Sequence, residues 1–347
     1  MNTLNAHERR LAGLARSVRA AIVVPSLFAL ALLAIKQPEL AGFAVFGTFA
    51  HQVMVDYDSA GRIRLVQSAR LSLWGAVVVS LGTLASASAW LAVSGAALAG
   101  FLAELPWLTG GRFASVRNAL LLTFMFAVAV PVPPQSVFLN LAGWLVAAIF
   151  AQLALLVIWI PLARDNGVAC QEGVANPAAP VGDSRWLGRA IGCGIAMGFA
   201  VLLTRLLKAE HAFWIVLGVF PVLSANAHSA TRTFLQELGG TFIGLLASAL
   251  LIEMIGSHQT WYWLMLPFLV FASVYASNAI GFVAGQATFT LFAVILFCII
   301  LPQQRQTGIL RVEDIAIGGA ASLIVGWLRR IGESKLVKVA QPNYRPS

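Results

Sequence analysis

Residues 187–207 read LGRAIGCGIAMGFAVLLTRLL, an apolar run whose only charges, Arg189 and Arg205, stand near its two ends. About 20 apolar residues of helix cross a bilayer, so this run has the length of one crossing. It lies in the interior of the chain and is no cleaved leader. The run at 18–35 follows Arg9, Arg10, Arg16 and Arg19, which by itself is the layout of a signal peptide. Its likeness to 187–207 makes it a retained helix instead.

Composition extends the same reading to the whole chain. Of 347 residues, 59% are apolar and 11% are charged, against about 45–50% and roughly 25% for soluble domains. Mean hydropathy is +0.83 and there are 30 glycines. A dozen crossings take roughly 240 residues at about 20 each, which leaves no room for a water-soluble domain. An ordinary cytosolic enzyme is excluded. Twelve spans are predicted: 18–35, 40–57, 70–88, 90–104, 117–132 and 138–162, then 187–207, 212–228, 236–255, 261–277, 282–301 and 313–331. The fourth is short, and a re-entrant or tilted segment is its alternative. The fold class expected is an all-α polytopic membrane protein.

The net charge of +9 does not point to nucleic acid. With the N-terminus in the cytoplasm, 18 of the 23 basic residues fall on the cytoplasmic side of these spans. That is the positive-inside pattern, and it puts both termini inside. The domains expected are a cytoplasmic segment 1–17, a six-helix unit 18–163, a linker 164–186, a second six-helix unit 187–331 and a cytoplasmic tail 332–347. The linker carries Asp165, Asn166, Gly167, Asn176, Pro177, Pro180, Gly182 and Asp183 with no apolar period.

The two units share text at an offset near 170 residues. Arg19-Ala20 matches Arg189-Ala190, and Ser59-Ala60-x-Arg62 matches Ser229-Ala230-x-Arg232. Glu39, Ala41, Phe43, Val45, Gly47 and Phe49 match Glu210, Ala212, Trp214, Val216, Gly218 and Phe220, and Pro134-Gln135 matches Pro302-Gln303. Six spans per unit is an even number, so both units enter the membrane the same way round. Two parallel repeats about an axis along the membrane normal are expected, with a substrate path at their interface.

Small residues let membrane helices approach closely. Gly188/Gly192, Gly194/Gly198, Gly240/Gly244 and Gly281/Gly285 are spaced for this, with packing inside the chain as the first reading and a homodimer face as the second. Cys170, Cys193 and Cys298 have no metal-binding spacing and read as structural.

The second half carries the most distinctive text. His211-Ala212-Phe213-Trp214 opens a span running to Pro221-Val222-Leu223, followed by Thr231-Arg232 and Gln236-Glu237-Leu238-Gly239-Gly240-Thr241-x-x-Gly244. Gly285-Gln286-Ala287-Thr288-Phe289-Thr290 and Arg311-Val312-Glu313-Asp314-Ile315-x-Ile317-Gly318 come next. This order resembles the fusaric acid resistance protein-like (FUSC) superfamily of inner-membrane proteins, which includes aromatic carboxylic acid exporters. Plant aluminium-activated malate channels look distantly similar. The first half departs from the pattern: Phe43 takes the tryptophan position, the proline after it is missing, and Arg70-Leu71 is followed by Ser-Leu-Trp rather than Gly-Thr. Many family members carry a large soluble domain between or after the membrane halves, whereas the linker here is only residues 164–186. Exporters of this kind often work with a periplasmic adaptor, which the sequence leaves open.

Ionisable groups at membrane depth are costly and tend to face a cavity or a partner. Arg232 is a candidate attractor for a carboxylate, with Glu237 tuning it or carrying a proton; an interfacial pair orienting the helix is the alternative. Arg62 is the repeat mate of Arg232, with Asp56 and Asp58 near enough to neutralise it. His51, beside Gln52 inside the second span, is a candidate proton carrier, against a packing histidine. Trp214 is a candidate stacking surface for an aromatic substrate, against an interfacial anchor. Gln286 and Thr290 share a helix face and suit either a carboxylate or a neighbouring helix; Asn118 and Thr123 correspond loosely in the first half. His211, Arg311 and Asp314 are candidate gate residues at the outer surface, Asp314 also suiting a helix N-terminus.

The sequence contains no nucleophile elbow, phosphate loop or zinc-protease pair. No enzymatic activity, cofactor or metal is expected. The expected function is a secondary exporter of small organic anions, driven by an ion gradient, in a bacterial inner membrane. The aromatic carboxylate class is implied by the resemblance. A passive organic-anion channel is the alternative, and a non-transporting scaffold the third reading.

Overall fold

A computed structural model describes residues 6–54, 61–105, 113, 116–156, 185–208, 213–224, 230–256, 258–300, 313–321 and 323–324. Among these residues every element is helical. In chain order the first six helices are α1 (Ala6–Ala29), α2 (Pro38–Phe49), α3 (Gly61–Ser86), α4 (Ala89–Ala103), α5 (Arg117–Ala129) and α6 (Val137–Ala154). The next five are α7 (Arg185–Leu206), α8 (Phe213–Ser224), α9 (Ala230–Ile255), α10 (Gln259–Ala279) and α11 (Phe282–Ile300). A twelfth helical stretch, α12, begins at residue 313 and continues to 321.

Each of the twelve predicted spans meets a helix, but their lengths differ from expectation. Seven helices among the described residues are long and apolar enough to cross a membrane, whereas Leu40–Met54, Ala89–Ala103 and Arg117–Ala129 are shorter. The fifteen residues of α4 rise about 22 Å at 1.5 Å each, less than the roughly 30 Å hydrocarbon core. Helix α1 begins at Ala6, well before the apolar run at 18, because the preceding basic stretch propagates the helix outward. Of the predicted linker 164–186, all but Arg185 and Trp186, which begin α7, lies outside the described residues, as does the predicted tail 332–347.

Two helices change register at their ends. α1 continues as a π-helical turn over Leu30–Ile35 and stops at Lys36, whose φ of 58° is left-handed. α7 is followed by Lys208, which has a φ of 48°. α2 opens with Pro38 at its first turn, where a missing N–H costs nothing, and runs into a π-helical turn at Ala50–Met54.

Outward-facing side chains are large and apolar. Trp90, Phe138, Leu250, Met254 and Phe268 are between 69% and 84% exposed, a surface that water would not tolerate in this extent and lipid would. Inside, α3 packs on α5 and α6, α2 on α6, and α11 on both α9 and α10. Helices α4 and α7 pack together, as do α1 and α10.

The close helix pairs use the predicted glycines. A Cβ on Gly194 would sit 2.8 Å from the Ala97 carbonyl of α4, and one on Gly198 would meet the Ala97 Cβ at 3.0 Å. On α9, a Cβ at Gly240 would meet the Val283 carbonyl at 2.6 Å, and one at Gly244 the Thr290 Cβ at 2.7 Å. Both spacings serve packing inside the chain.

Candidate functional site

Aromatic rings gather where the first six helices meet the second six. On α2, Phe46 stacks on Phe126 of α5 with centroids 4.5 Å apart, and both meet Phe213 of α8 edge-on, at 5.5 and 4.8 Å. Phe43 lies edge-on to Phe126 at 4.9 Å. Trp214 lies edge-on to Phe297 of α11 at 6.1 Å and to Phe289 at 6.4 Å. Phe49 closes the set against Phe289 at 5.5 Å. Edge-on and offset arrangements are those that aromatic quadrupoles favour. Trp214 is therefore buried among rings at 7% exposure.

A polar seam runs beside these rings at the contact of α9 and α11. Its α9 side consists of the buried residues Glu237, Gly240, Thr241, Gly244 and Ser248. Their spacing of three, one, three and four keeps them on one face of the helix. Gln286 and Thr290 stand opposite, their Cβ atoms close against Gly240 and Gly244. Thr290 is fully buried and Gln286 half-buried. Arg232, five residues before Glu237, is exposed at the start of α9. Five residues turn a helix through 500°, so the two side chains leave on different sides. Glu237 enters the protein and Arg232 faces outward.

His51 forms a second polar node that sequence reasoning did not resolve. It is fully buried in the π-helical turn, with Nδ1 2.7 Å from the Gly47 carbonyl and Nε2 3.1 Å from Ser72 Oγ. A carbonyl only accepts, so Nδ1 is the donor there. The Ser72 hydroxyl lies 2.8 Å from the Ser68 carbonyl. With a neutral ring, the one hydroxyl proton serves either Ser68 or Nε2. With a protonated ring, Nε2 donates to Ser72 and every member is satisfied. Trp144 lies beside the imidazole, centroids 5.0 Å apart, and donates from Nε1 to the Ser72 carbonyl at 3.0 Å. Next to this node Gln52 is fully buried, and neither atom of its amide has a hydrogen-bond partner.

The remaining candidates divide. Asp314 is buried at the start of α12 while Glu313 is exposed. Thr123 is buried and bonds within its own helix to Ala119 at 2.6 Å, and Asn118 is exposed. The Arg62 side chain, Asp56, Asp58, Cys170, His211 and Arg311 lie outside the described residues. Thus Trp214, Glu237, Gln286 and Thr290 fall along one region of α8, α9 and α11, and His51 lies apart, against α3 and α6.

One arginine that sequence reading placed only in a charge count has a defined role. Arg205, near the end of α7, donates from Nη2 to the Ser86 carbonyl at 3.0 Å and the Val128 carbonyl at 2.9 Å. These carbonyls lie in the last turns of α3 and α5, where cations and donors stabilise helix ends.

Helices of this length and apolarity define a multi-pass membrane protein. Residues 199–325 match the family described as fusaric acid resistance protein-like, and the match supports membership of the FUSC family. It covers the polar seam and Trp214, in the half of the chain where the resemblance was most distinctive. Together with the apolar helices it points to a membrane transporter. No curated protein and no solved structure matches the chain.

Proposed function

We propose that the protein exports small organic acids, aromatic carboxylates foremost, across a bacterial inner membrane with both termini cytoplasmic. The observation that carries this reading is the ring assembly of Phe46, Phe126 and Phe213 at the junction of the two helical sets, flanked by the polar seam of Glu237, Gln286 and Thr290. A planar apolar ring bearing one carboxylate needs both kinds of surface along its path. Arg232 recruits the anion at the entrance to α9, and Trp214 lines the route beyond it. His211, Arg311 and Asp314 gate the outer end. The chain has no nucleotide-binding loop, so an ion gradient drives the cycle, with Glu237 and His51 as proton carriers.

The mechanism is alternating access between two parallel six-helix repeats. Several features support the repeat. Phe43 and Phe126 form an edge-on pair, and the positions 171 residues later, Trp214 and Phe297, form another. Lys36 and Lys208 both take left-handed φ after the first helix of each set. The α4–α7 contact and the α1–α10 contact exchange when the fourth helix of one set and the first of the other are swapped.

The test is flux of labelled hydroxybenzoate from proteoliposomes, with the pH gradient and membrane potential imposed separately. Flux that requires the pH gradient is the expected result. Flux that follows voltage alone assigns the chain to the passive anion channels. No flux under either condition overturns the substrate class.

A further inference from the structure

Gln52 is fully buried, yet neither the oxygen nor the nitrogen of its side-chain amide has a hydrogen-bond partner. Burying an unpaired amide is costly, and native folds keep such a group mainly where something else takes up its bonds. The residue lies in the π-helical turn Ala50–Met54 that ends α2. Turns of this kind occur frequently at functional positions.

Neighbouring residues show which way it points. His51 turns to Ser72 of α3 and Trp144 of α6. Gln52 follows Val45 by seven residues and Phe49 by three, spacings that share one side of a helix. Val45 and Phe49 belong to the core cluster that holds Phe28 of α1 and Phe292 of α11. The Phe49 ring also meets Phe289 of α11, with centroids 5.5 Å apart. Gln52 thus stands three residues beyond an aromatic contact between the two helical sets, on the side of α2 that carries it. At the offset that matches Phe49 with Phe220, its counterpart is Leu223. The amide is particular to the first set.

A primary amide holds an acceptor oxygen and a donor nitrogen side by side on one carbon. With both open, the group that satisfies it presents an acceptor beside a donor. A plain carboxylate only accepts, so it would pair with the nitrogen and leave the oxygen unpaired. A cation would do the reverse. In an export cycle driven by inward proton movement the acid crosses as its anion, so the donor must come from a second group. A hydroxyl on the ring carbon next to the carboxylate supplies it.

We infer that Gln52 is a specificity-determining residue that selects aromatic carboxylates bearing a neighbouring hydroxyl, the class of 2-hydroxybenzoate. Its amide nitrogen donates to the carboxylate and its amide oxygen accepts from the hydroxyl. This rests on the aromatic-acid export proposed above and adds a residue of the first set to its path.

The test is isothermal titration of the full chain, purified in detergent, with 2-hydroxybenzoate, 4-hydroxybenzoate and benzoate. 4-Hydroxybenzoate carries the same two groups at opposite ends of the ring, where they cannot both reach one amide. The wild type is expected to bind 2-hydroxybenzoate several-fold more tightly than the other two. Gln52→Leu and Gln52→Met should remove that preference and leave the other two affinities near their wild-type values. Because the amide has no partner within the fold, both variants should melt no lower than the wild type. Equal binding of the three acids by the wild type overturns the inference alone, as does a preference that survives in both variants. Lowered melting temperatures in both would also overturn it, by showing that the fold itself uses the amide. Binding of none of the three overturns the aromatic-acid reading and this inference with it.

Discussion

The indole of Trp144 lies directly over Gly75, so that a Cβ added to Gly75 would fall 2.8 Å from the indole nitrogen and closer still to its ring carbons. Trp144 is fully buried and holds its place through the 3.0 Å bond to the Ser72 carbonyl. The ring carbons are rigid, and α3 is backbone-bonded on both sides of Gly75, so neither partner has room to yield. Gly75→Ala is expected to cost about 1–3 kcal/mol through overpacking. A lowered melting temperature of the purified protein, measured by dye-free fluorescence, is the check. An unchanged melting temperature would show that α3 shifts freely past Trp144.

Arg205 ties the end of α7 to the ends of α3 and α5. Removing it by Arg205→Ala strands the Ser86 and Val128 carbonyls, at a cost of about 1–3 kcal/mol for each acceptor left buried without a donor. Arg205→Lys should recover only part of this, because one ammonium on a flexible stem replaces a planar fork. Melting temperatures in the order wild type, Lys, Ala check the assignment. Equal values for wild type and Lys would mean that the second bond contributes nothing.

In the polar seam, Glu237→Gln keeps the shape and removes the charge. Transport should lose its dependence on the pH gradient while the substrate concentration for half-maximal flux changes by less than about threefold, equivalent to under 0.7 kcal/mol at 1.4 kcal/mol per tenfold. A variant that still follows the pH gradient would take Glu237 out of the coupling role and leave it as a packing group.

Ser72→Ala separates the two readings of His51. It removes the hydroxyl that meets Nε2 but leaves the Nδ1 bond to Gly47 intact. If His51 carries protons, the pH profile of flux shifts while expression and melting temperature stay near those of the wild type. A profile that does not move, with lowered stability, would mark the histidine as packing only.

Arg232→Ala is expected to raise the half-maximal substrate concentration severalfold with little effect on maximal flux, since Arg232 is exposed at the start of α9 and acts before the substrate is enclosed. Transport assays across a range of hydroxybenzoate concentrations check this. A fall in maximal flux at unchanged half-saturation would place Arg232 in the translocation step itself. A variant indistinguishable from wild type at every concentration would remove it from the path.

The apolar helices were legible because a bilayer imposes a polarity that twenty-residue windows record directly, although only seven of them among the described residues are long enough to cross. The twelve apolar runs meet eleven helices and the helical stretch from 313 to 321 among the described residues, and the spacing of Gly194/Gly198 and Gly240/Gly244 announced close packing. Helix ends were less legible. α1 begins at Ala6 and α5 stops at Ala129, because hydropathy reports where a helix meets lipid and not where its hydrogen bonds end.

What the sequence determined by itself is therefore the class: an all-helical multi-pass membrane protein whose second half carries the family's text. Periodicity placed Gln286 and Thr290 on one face, since a helix fixes angle from spacing alone. Only the tertiary structure decided which way each face points. It buried Trp214 among Phe213, Phe289 and Phe297, turned Glu237 inward and Arg232 outward, and set His51 on Ser72 across twenty-one residues of chain. It also gave Arg205 its two carbonyls on helices 77 and 119 residues away. Such contacts depend on which helices become neighbours. In a chain with so many apolar faces, that choice follows from the fit of glycines and rings across many helices at once, and no local window records it.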